Sequence, residues 1–389
     1  MILKMTKGLI CVSLLAIICP VEVSAGTYSH FIENRTDILQ VEGVKKVLLS
    51  APQNLSGRIR IQSVEKGAAS VAIEYEGRAS NEAEFRHFLD LVEINISRKG
   101  DKAVVVVSTA DNAPWEGSDK SIVLNMNFTL PEKLAVAIEG RFYSIEILGS
   151  FEGLEIDNDY GEVYAHHIKG PVNIRTSFKD VTLGDVEGEV SILNNSGSIE
   201  AFNINCGPGK CRFETTVGKV KLENIIGEVE VITSYKPIIL KGVNAGGGTI
   251  SATNNYGEIK LDDVRGKLEI KTNFSRIEGD IINLSPGSSM ISSGYAEIEL
   301  DKIRLDNSDL SISNNFSDVR AVFPGKPSAR FILATDEGGG IHIKGIPLKP
   351  VSVTRNGFEG IVGGGVSTIE INIRGIGRID VLGNSGTAY

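Results

Sequence analysis

The feature that most constrains this chain is a repeat of 18 or 21 residues that runs through its central and C-terminal parts. Residues 254–270 have the sequence NNYGEIKLDDVRGKLEI, and residues 215–231, TTVGKVKLENIIGEVEV, match them position by position in residue type. With the first residue of each repeat as its anchor, equivalent anchors are Gly140, Asn158, Thr176, Asn194, Thr215, Thr233, Asn254, Thr272, Ser293 and Asn314. Repetition at this period is typical of proteins in which each unit stacks on its neighbours.

Each repeat contains two short segments in which apolar and polar residues alternate. In the first segment, apolar residues stand five and seven positions after the anchor, as Ile259 and Leu261 illustrate. The second segment begins with glycine in several repeats, as in Gly266 to Ile270. Alternation with a period of two predicts strands with one buried face. The repeats change length only between the two segments, where GVNAGGGTI replaces the shorter DVRGKL, and this predicts a loop at one edge.

Equivalent residues form columns that favour a stack of coils. Most anchors are Asn, Thr or Ser, and we expect their side chains to hydrogen-bond to the repeats above and below. We therefore predict an all-β chain built on a parallel β-helix, or β-solenoid, in which each repeat is one coil paired in parallel with its neighbours. The alternative is an antiparallel β-meander in which each repeat is a hairpin.

A second column, two positions after the anchor, is aromatic. Its members are Phe142, Tyr160, Phe178, Tyr235, Tyr256, Phe274, Tyr295 and Phe316. Stacked aromatic side chains are more often a structural spine than a platform for sugar rings, and we favour the spine.

The rest of the sequence divides around these repeats. Residues 1–25 have a basic start, a short apolar run and small residues at the end, which predicts a secretory signal peptide cleaved near Ala25. We predict a β-rich N-terminal region over 26–139, the solenoid repeats over 140–335, and the final coils, a C-terminal cap and a tail over 336–389. The N-terminal region either packs on the first coil or forms a small lobe of its own.

Two local features stand out in the N-terminal region. The segment NEAEFRHFLDL predicts a short helix that is capped by Ser80 or Asn81. Trp115 is the only tryptophan and lies in a predicted loop. We favour a buried loop anchor over an exposed binding residue for this side chain.

Charge and motifs narrow the possible partners. The formal net charge is −9, and loss of the signal peptide makes it one unit more negative, which argues against nucleic acid and anionic membrane surfaces. No later stretch is apolar enough for a membrane anchor. The sequence has no GGxGxD calcium repeat, phosphate-binding loop or zinc-ligand spacing, and its single NDYGE loop has no second copy. We therefore predict no metal and no cofactor.

Two cysteines remain after the predicted cleavage, Cys206 and Cys211 in CGPGKC. An exported protein encounters an oxidising compartment, so we predict a structural disulfide across this short turn, which stabilises the fold by roughly 2 kcal/mol. The alternative is a core-facing Cys211 beside an unpaired Cys206. A metal site is disfavoured because no second cysteine pair or nearby histidine completes a ligand set.

Catalytic groups are sparse in this pattern. The adjacent histidines His166 and His167 are the most suggestive, and Asp159 and Asp180 are the carboxylates we place one coil away. Neighbouring residues of a strand point to opposite faces, so we expect at most one of these histidines to line any single site. Carboxylates elsewhere alternate with basic residues on outward strand positions, so we predict no enzyme active site.

The segment MNFTLPEKLAVAIEG and the glycine-led repeats that follow it resemble the bacterial putative-adhesin family, a domain of unknown function. They resemble more distantly the adhesin head domains with a single-stranded right-handed β-helix. The likeness covers most of the chain beyond residue 25, and Leu130 and Pro131 are among its closest points. The resemblance implies a right-handed β-solenoid, an envelope location and no catalytic residue. Repeats without the leading glycine, such as TSYKPIIL, and the cysteine-bearing turn depart from the family pattern.

These observations favour a non-enzymatic exported envelope protein, an adhesin-like scaffold that binds a surface, a glycan or a protein. We expect it in the periplasm, on the cell surface or outside the cell. One alternative is a carbohydrate-active β-helix enzyme, a lyase or glycosidase, with its site in a flank groove. The other is a periplasmic accessory module of an envelope-stress system.

Overall fold

The computed structural model describes residues 28–384, apart from residues 67 and 337, as an all-β structure with one helix and one large mixed sheet. The predicted signal peptide, residues 1–25, lies outside the described residues. None of the helical structure in the described part of the chain has the length and apolar character that crossing a membrane requires.

The N-terminal region forms strands on both sides of the helix. Its elements are β1 (Ser29–Ile38), β2 (Lys46–Ser50), β3 (Ser56–Val64), β4 (Ser70–Ala79), α1 (Glu82–Asp90), β5 (Val92–Lys99), β6 (Lys102–Thr109) and β7 (Ser121–Pro131). The predicted helix is therefore confirmed. Asn81 is its N-cap, because its side-chain oxygen accepts a hydrogen bond of 2.9 Å from the backbone N–H of Glu84.

The repeats form strands where the alternation predicts them. The elements are β8 (Ala135–Gly140), β9 (Phe142–Phe151), β10 (Gly153–Asn158), β11 (Val163–Ile168), β12 (Val172–Thr176), β13 (Val181–Glu187), β14 (Val190–Asn194), β15 (Ile199–Thr215), β16 (Val220–Ile232), β17 (Ile238–Asn254), β18 (Ile259–Thr272), β19 (Ile277–Leu284), β20 (Gly287–Ser293), β21 (Ile298–Leu300), β22 (Arg304–Leu305), β23 (Ser308–Asn314) and β24 (Val319–Pro324). In each of β15 to β18, the two strands of one repeat run into one another through the variable loop.

Neighbouring repeats pair in parallel and in register. Ile259 of β18 pairs with Ile238 on one side and with Ile277 on the other, and all three side chains are fully buried. The alternative of antiparallel hairpin repeats is therefore wrong for this region. Because every second residue faces inward, the buried columns form one continuous hydrophobic cluster along the stack.

The polar anchors are buried at a corner, where most of their side chains hydrogen-bond as predicted, although the hydroxyls of Thr176 and Thr272 have no partner in the described structure. The amide nitrogen of Asn254 donates to the carbonyl of Lys236 in the preceding repeat (2.7 Å), and its oxygen accepts from the N–H of Gly257 (2.9 Å). The hydroxyl of Thr233 likewise donates to the carbonyl of Gly218 (3.0 Å). These bonds satisfy backbone groups where the chain turns away from the ladder.

A column of left-handed residues, nine positions after the anchor, was not predicted. Its φ angles lie between 51° and 63° in eight successive repeats, at His167, Asp185, Asn203, Asn224, Gly242, Asp263, Ile281 and Lys302. Such a residue interrupts the alternation of side chains. Position nine therefore faces outward, position ten is buried, and position eleven faces outward again.

The N-terminal region continues the sheet of the repeats. Strands β2 and β3 pair in parallel with β8 and β9 on one side and with β6 and β7 on the other. Strands β4 and β1 follow β7 in antiparallel order, and β5 pairs antiparallel with β6. The first strands of the repeats, β8 and β9, thus pair with β2 and β3 and not with β7, which precedes them in the sequence.

The C-terminal end also departs from chain order. Its strands are β25 (Ala329–Thr335), β26 (Gly340–Lys344), β27 (Lys349–Val353), β28 (Gly357–Val362), β29 (Ser367–Ile373) and β30 (Arg378–Asn384). Strands β29 and β30 pair in parallel with β23 and β24 on one side and with β25 and β26 on the other. The last strands of the chain therefore lie between two earlier pairs, and the antiparallel hairpin β27–β28 covers β25.

Candidate functional site

A groove follows one flank of the stack, between the columns at positions nine and eleven. Its C-terminal part is a cavity of about 560 Å³. The polar side chains around this part are Asn224, Asn244, Asp263, Arg265, Asn283, Arg304 and Asp306. The buried residues at position ten, such as Val243, lie between the two outward columns.

The N-terminal part of the same groove is a cavity of about 770 Å³. Its polar lining includes Glu132, His167, Lys169, Asp185, Glu187 and Asn203. Asn203 in this part accepts a hydrogen bond of 3.2 Å from the side-chain amide of Asn224 in the other. We name the two parts together the flank groove.

Arg265 and Arg304 in the C-terminal part of the flank groove differ from several charged residues of the neighbouring repeats. Lys260, for example, lies 3.3 Å from Glu258 of its own repeat and 3.5 Å from Glu278 of the next. Within the described part of the chain, neither Arg265 nor Arg304 has an acidic partner within 4 Å or a side-chain hydrogen bond. These two guanidinium groups keep their donors free for a ligand.

The two histidines of β11 lie together, contrary to the prediction that at most one of them lines a site. Nδ1 of His166 is 3.3 Å from Oδ2 of Asp185, and Nδ1 of His167 is 3.5 Å from the same oxygen. The prediction was wrong because it assumed regular strand alternation. His167 has a φ of 62°, and the register of β11 shifts between His166 and Ile168, so both rings reach one carboxylate.

Asp185 is held as an ionised carboxylate. The side-chain amide of Asn203 donates to its Oδ1 at 3.0 Å, and this hydrogen bond is the main cause that lowers the pKa of Asp185. Partial burial opposes the shift, while the hydrogen bond from His166 and the nearby charge of His167 add to it.

The carboxylates that the sequence pointed to have other partners. Asp159 accepts from the hydroxyl of Ser177 (2.8 Å) and lies 3.6 Å from Arg141. Asp180 accepts from the backbone N–H of Ser198 (2.7 Å). Both hold one repeat to the next near the anchor corner.

The aromatic column is stacked but not buried. From Tyr235 to Phe316, consecutive ring centroids are 5.1–5.4 Å apart and interplanar angles are 3–8°. These rings are about half exposed. Within this row, the rings of Tyr256, Phe274 and Tyr295 each stack between two others, so both of their faces are covered. A sugar ring packs on an aromatic face, so this geometry favours the spine over the platform.

Trp115 is buried, as predicted. Its indole N–H donates to the carbonyl of Asn54 (3.1 Å), and its ring meets Phe88 edge to face at 5.5 Å. This side chain therefore anchors its loop to the helix and leaves no exposed surface for binding.

The predicted cysteine pair is close. The Cα atoms of Cys206 and Cys211 are 5.8 Å apart, a usual separation for a disulfide, and their sulfur atoms are at bonding distance. Both side chains are buried. The disulfide stays a prediction, and mass mapping without reductant is its test: a peptide that joins the two residues supports it, and two free thiols contradict it.

Comparison with known proteins adds no family. No protein-family model matches the chain, and no curated protein matches its sequence. A crystal structure of "a putative cell adhesion protein" from Clostridium sporogenes is similar over 91% of this chain and 100% of its own, at 12% identity and a TM-score of 0.20. A "putative adhesin" from Parabacteroides distasonis is similar over 90% of this chain and 97% of its own, at 12% identity and a TM-score of 0.21. At these TM-scores the likeness supports no inference about function.

Sequence reasoning did not locate the flank groove in the chain and did not place Asp185 beside the two histidines. One signal was present in the column nine positions after the anchor. His, Asp, Asn and Gly fill most of it, and these are the residues that adopt left-handed backbone most readily. A left-handed column in place of regular alternation would have predicted two outward columns with a groove between them.

Proposed function

We propose that this chain is an exported, non-enzymatic, adhesin-like protein of the cell envelope, in which a right-handed β-solenoid presents the flank groove to an extended glycan. The observation that supports this function is a pair of guanidinium groups with free donors in the groove. Neither Arg265 nor Arg304 has an acidic partner or a side-chain hydrogen bond in the described structure.

The shape and chemistry of the groove fit a hydroxyl-rich chain. Its C-terminal part runs from Asn224 to Arg304 across repeats that are about 4.8 Å apart, so it is on the order of 20 Å long. Amides, carboxylates and guanidinium groups alternate along it, and these planar groups donate to and accept from vicinal hydroxyls. Both signs of charge are present and the chain is acidic overall, which favours a neutral glycan over a polyanion.

The proposed location rests on residues 1–25 and on the cysteine pair. A signal peptide leads to the periplasm, the cell surface or the medium, and a buried cysteine pair at bonding distance suits those oxidising compartments. Fractionation followed by N-terminal sequencing tests it: a protein that begins near Gly26 outside the cytoplasm supports export, and a cytoplasmic protein that begins at Met1 contradicts it.

The decisive test of binding is a screen of neutral and acidic glycans and surface polymers with residues 26–389. We expect at least one neutral glycan to bind, and we expect Arg265→Ala with Arg304→Ala to weaken that binding at least tenfold. Lys260→Ala is the matched control, because it removes a positive charge from the paired strand face. Absence of binding across the panel contradicts the proposal. Equal loss in the control shows that general charge, not the groove, is responsible.

One observation favours a second candidate, a carbohydrate-active enzyme. Two carboxylates and two guanidinium groups line the C-terminal part of the groove, at Asp263, Asp306, Arg265 and Arg304. A lyase or glycosidase would use such groups as acid, base and charge stabiliser. Incubation with a polysaccharide panel distinguishes the two: new unsaturated or reducing ends that disappear in Asp263→Asn establish the enzyme, and intact polymer supports the binding protein.

A further inference from the structure

The cluster formed by His166, His167 and Asp185 has the composition of a metal site. The three residues each offer one ligand atom, and these atoms all lie within 4.8 Å of one another. Two imidazoles and one carboxylate are a donor set that divalent transition ions prefer, whereas calcium and magnesium prefer oxygen alone.

The separations match those of a tetrahedral ion. With bonds of 2.0–2.1 Å to nitrogen or oxygen, two ligands of a tetrahedral zinc ion are about 3.3 Å apart. Oδ2 of Asp185 is 3.3 Å from Nδ1 of His166 and 3.5 Å from Nδ1 of His167. His167 is exposed, so its ring is free to adjust without displacing the core.

Neighbouring groups orient the ligands. Asn203 donates to Oδ1 of Asp185, which leaves Oδ2 for an ion. The ring of His166 lies between Tyr164, whose ring centroid is 4.6 Å away, and Phe202, at 5.1 Å. These rings fix its orientation by packing. Nε2 of His166 is buried without a hydrogen-bond partner in the described structure. This nitrogen therefore does not distinguish a metal-bound ring from a free one.

Glycine at position 184 makes this packing possible. A Cβ atom at Gly184 would lie 2.5 Å from the ring of His166 and 2.6 Å from that of Phe202. A larger residue there would push His166 away from Asp185. The left-handed backbone is common to the whole column and therefore does not by itself mark a site. What distinguishes this position is its mixed set of two imidazoles and one carboxylate.

We propose that His166, His167 and Asp185 bind one divalent first-row transition ion of the Zn²⁺ class, with the remaining coordination position open toward the flank groove. His167 and Asp185 both line the N-terminal part of that groove, so solvent or a ligand reaches the ion from that side. This site is independent of the proposed glycan binding, which rests on the C-terminal part.

The chain provides matched controls. His30 lies 2.8 Å from Glu76, and His342 lies 3.2 Å from Asp380. Each is a pair of one histidine with a carboxylate, on an exposed strand and without a second histidine. If a single pair were enough for binding, His30→Ala and His342→Ala would lower the metal content as much as changes in the cluster.

The test is titration of residues 26–389, without any histidine tag, with Zn²⁺ by calorimetry after treatment with a chelator. We expect one ion per chain, at least a tenfold loss of affinity in His167→Ala and in Asp185→Asn, and no change in His30→Ala or His342→Ala. Circular dichroism checks that each variant is folded. In addition, Co²⁺ should give the visible absorption of a tetrahedral site in the parent chain and lose it in His167→Ala.

Two results would overturn the site. The first is the absence of saturable Zn²⁺ binding at Zn²⁺ concentrations below about 100 µM. A three-ligand zinc site should have a dissociation constant below that value. The second is binding that His167→Ala and Asp185→Asn leave unchanged. Loss of Zn²⁺ binding with glycan binding retained would separate this inference from the proposed function.

Discussion

The middle of the stack and its two ends are built from similar strands, but their order along the chain differs. From β10 to β21, each repeat pairs with the repeats just before and just after it in the sequence. At both ends, a pair of strands lies between two pairs that are not its sequence neighbours: β2 and β3 near the N-terminus, β29 and β30 near the C-terminus. Antiparallel strands then cover the outside.

The difference shows how the fold treats an exposed edge. In the middle, contacts are local from one repeat to the next, so stability approximates a sum over repeats. At the ends, a parallel stack would expose unpaired backbone groups and apolar core. Insertion of distant strands ties each end to two segments of the chain, and the antiparallel outer strands, such as the fully exposed β27 with Pro350, discourage further pairing.

The largest effect should follow from removal of the inserted strands at the C-terminal end. Deletion of residues 367–389 removes β29 and β30, whose buried residues include Ile369, Ile371 and Ile379. Each such side chain contributes about 1.5–3 kcal/mol, so the loss should exceed that of any single substitution. We expect hydrogen exchange to become fast throughout residues 329–362 while residues 158–272 stay protected.

Deletion of residues 385–389 alone is the control, because it leaves β30 whole. If residues 329–362 stayed protected without β29 and β30, the inserted strands would not be what joins the C-terminal end to the stack.

A core substitution in the middle should have a large but local effect. Ile259→Ala creates a cavity between the equivalent residues of the two neighbouring repeats and should lower the free energy of unfolding by about 2–5 kcal/mol. Hydrogen exchange should accelerate mainly in the adjoining repeats. Val353→Ala, in the exposed outer strand β27, should change stability by less than about 0.5 kcal/mol. Uniform acceleration along the chain would contradict local coupling.

A buried polar anchor should contribute less to the free energy of unfolding than a residue of the apolar core. Asn254→Ala leaves the carbonyl of Lys236 and the N–H of Gly257 without their partner, and should lower the free energy of unfolding by about 1–3 kcal/mol in denaturant titration. Asn254→Thr is the control, because threonine makes the equivalent bonds at Thr215. A threonine variant as unstable as the alanine variant would mean that the column depends on shape and not on hydrogen bonding.

The smallest effect concerns pH at the N-terminal end. Hydrogen bonds from Lys120 and from the backbone of Ser80 lower the pKa of Glu84 from 4.5 to about 2. A carboxyl whose pKa is lower in the folded state stabilises the fold above its unfolded pKa and loses this contribution as pH falls. The melting temperature should therefore fall between about pH 4.5 and 2, and this fall should be smaller in Glu84→Gln. Glu82→Gln, on the same helix, should behave as the parent chain.

Much of the local structure was predictable because it depends on short sequence patterns. The alternation of apolar and polar residues predicted the strands and the buried column of Ile238, Ile259 and Ile277. The polar anchors predicted the hydrogen bonds at the corner. The helix and its cap followed from residues close together in the chain. Each of these features arises from residues within one repeat or one turn of helix, where side-chain periodicity and backbone geometry are directly linked.

The candidate sites were less predictable because they depend on departures from that periodicity. The prediction for His166 and His167 assumed a regular strand, and one left-handed residue reversed it. Which charges remain unpaired, such as Arg265 and Arg304, depends on the side chains of neighbouring repeats in three dimensions.

The sequence by itself determined that this chain forms stacked β repeats with buried aliphatic columns, polar corners and an aromatic stripe, because a repeat of period two leaves little choice of buried face. Only the tertiary structure decided the order of strands at the ends, the left-handed column and the meeting of two histidines with Asp185. Those outcomes depend on pairing between distant segments, which leaves no periodic trace in the sequence, and on single backbone angles, whose trace is limited to the His, Asp, Asn and Gly residues nine positions after the anchors.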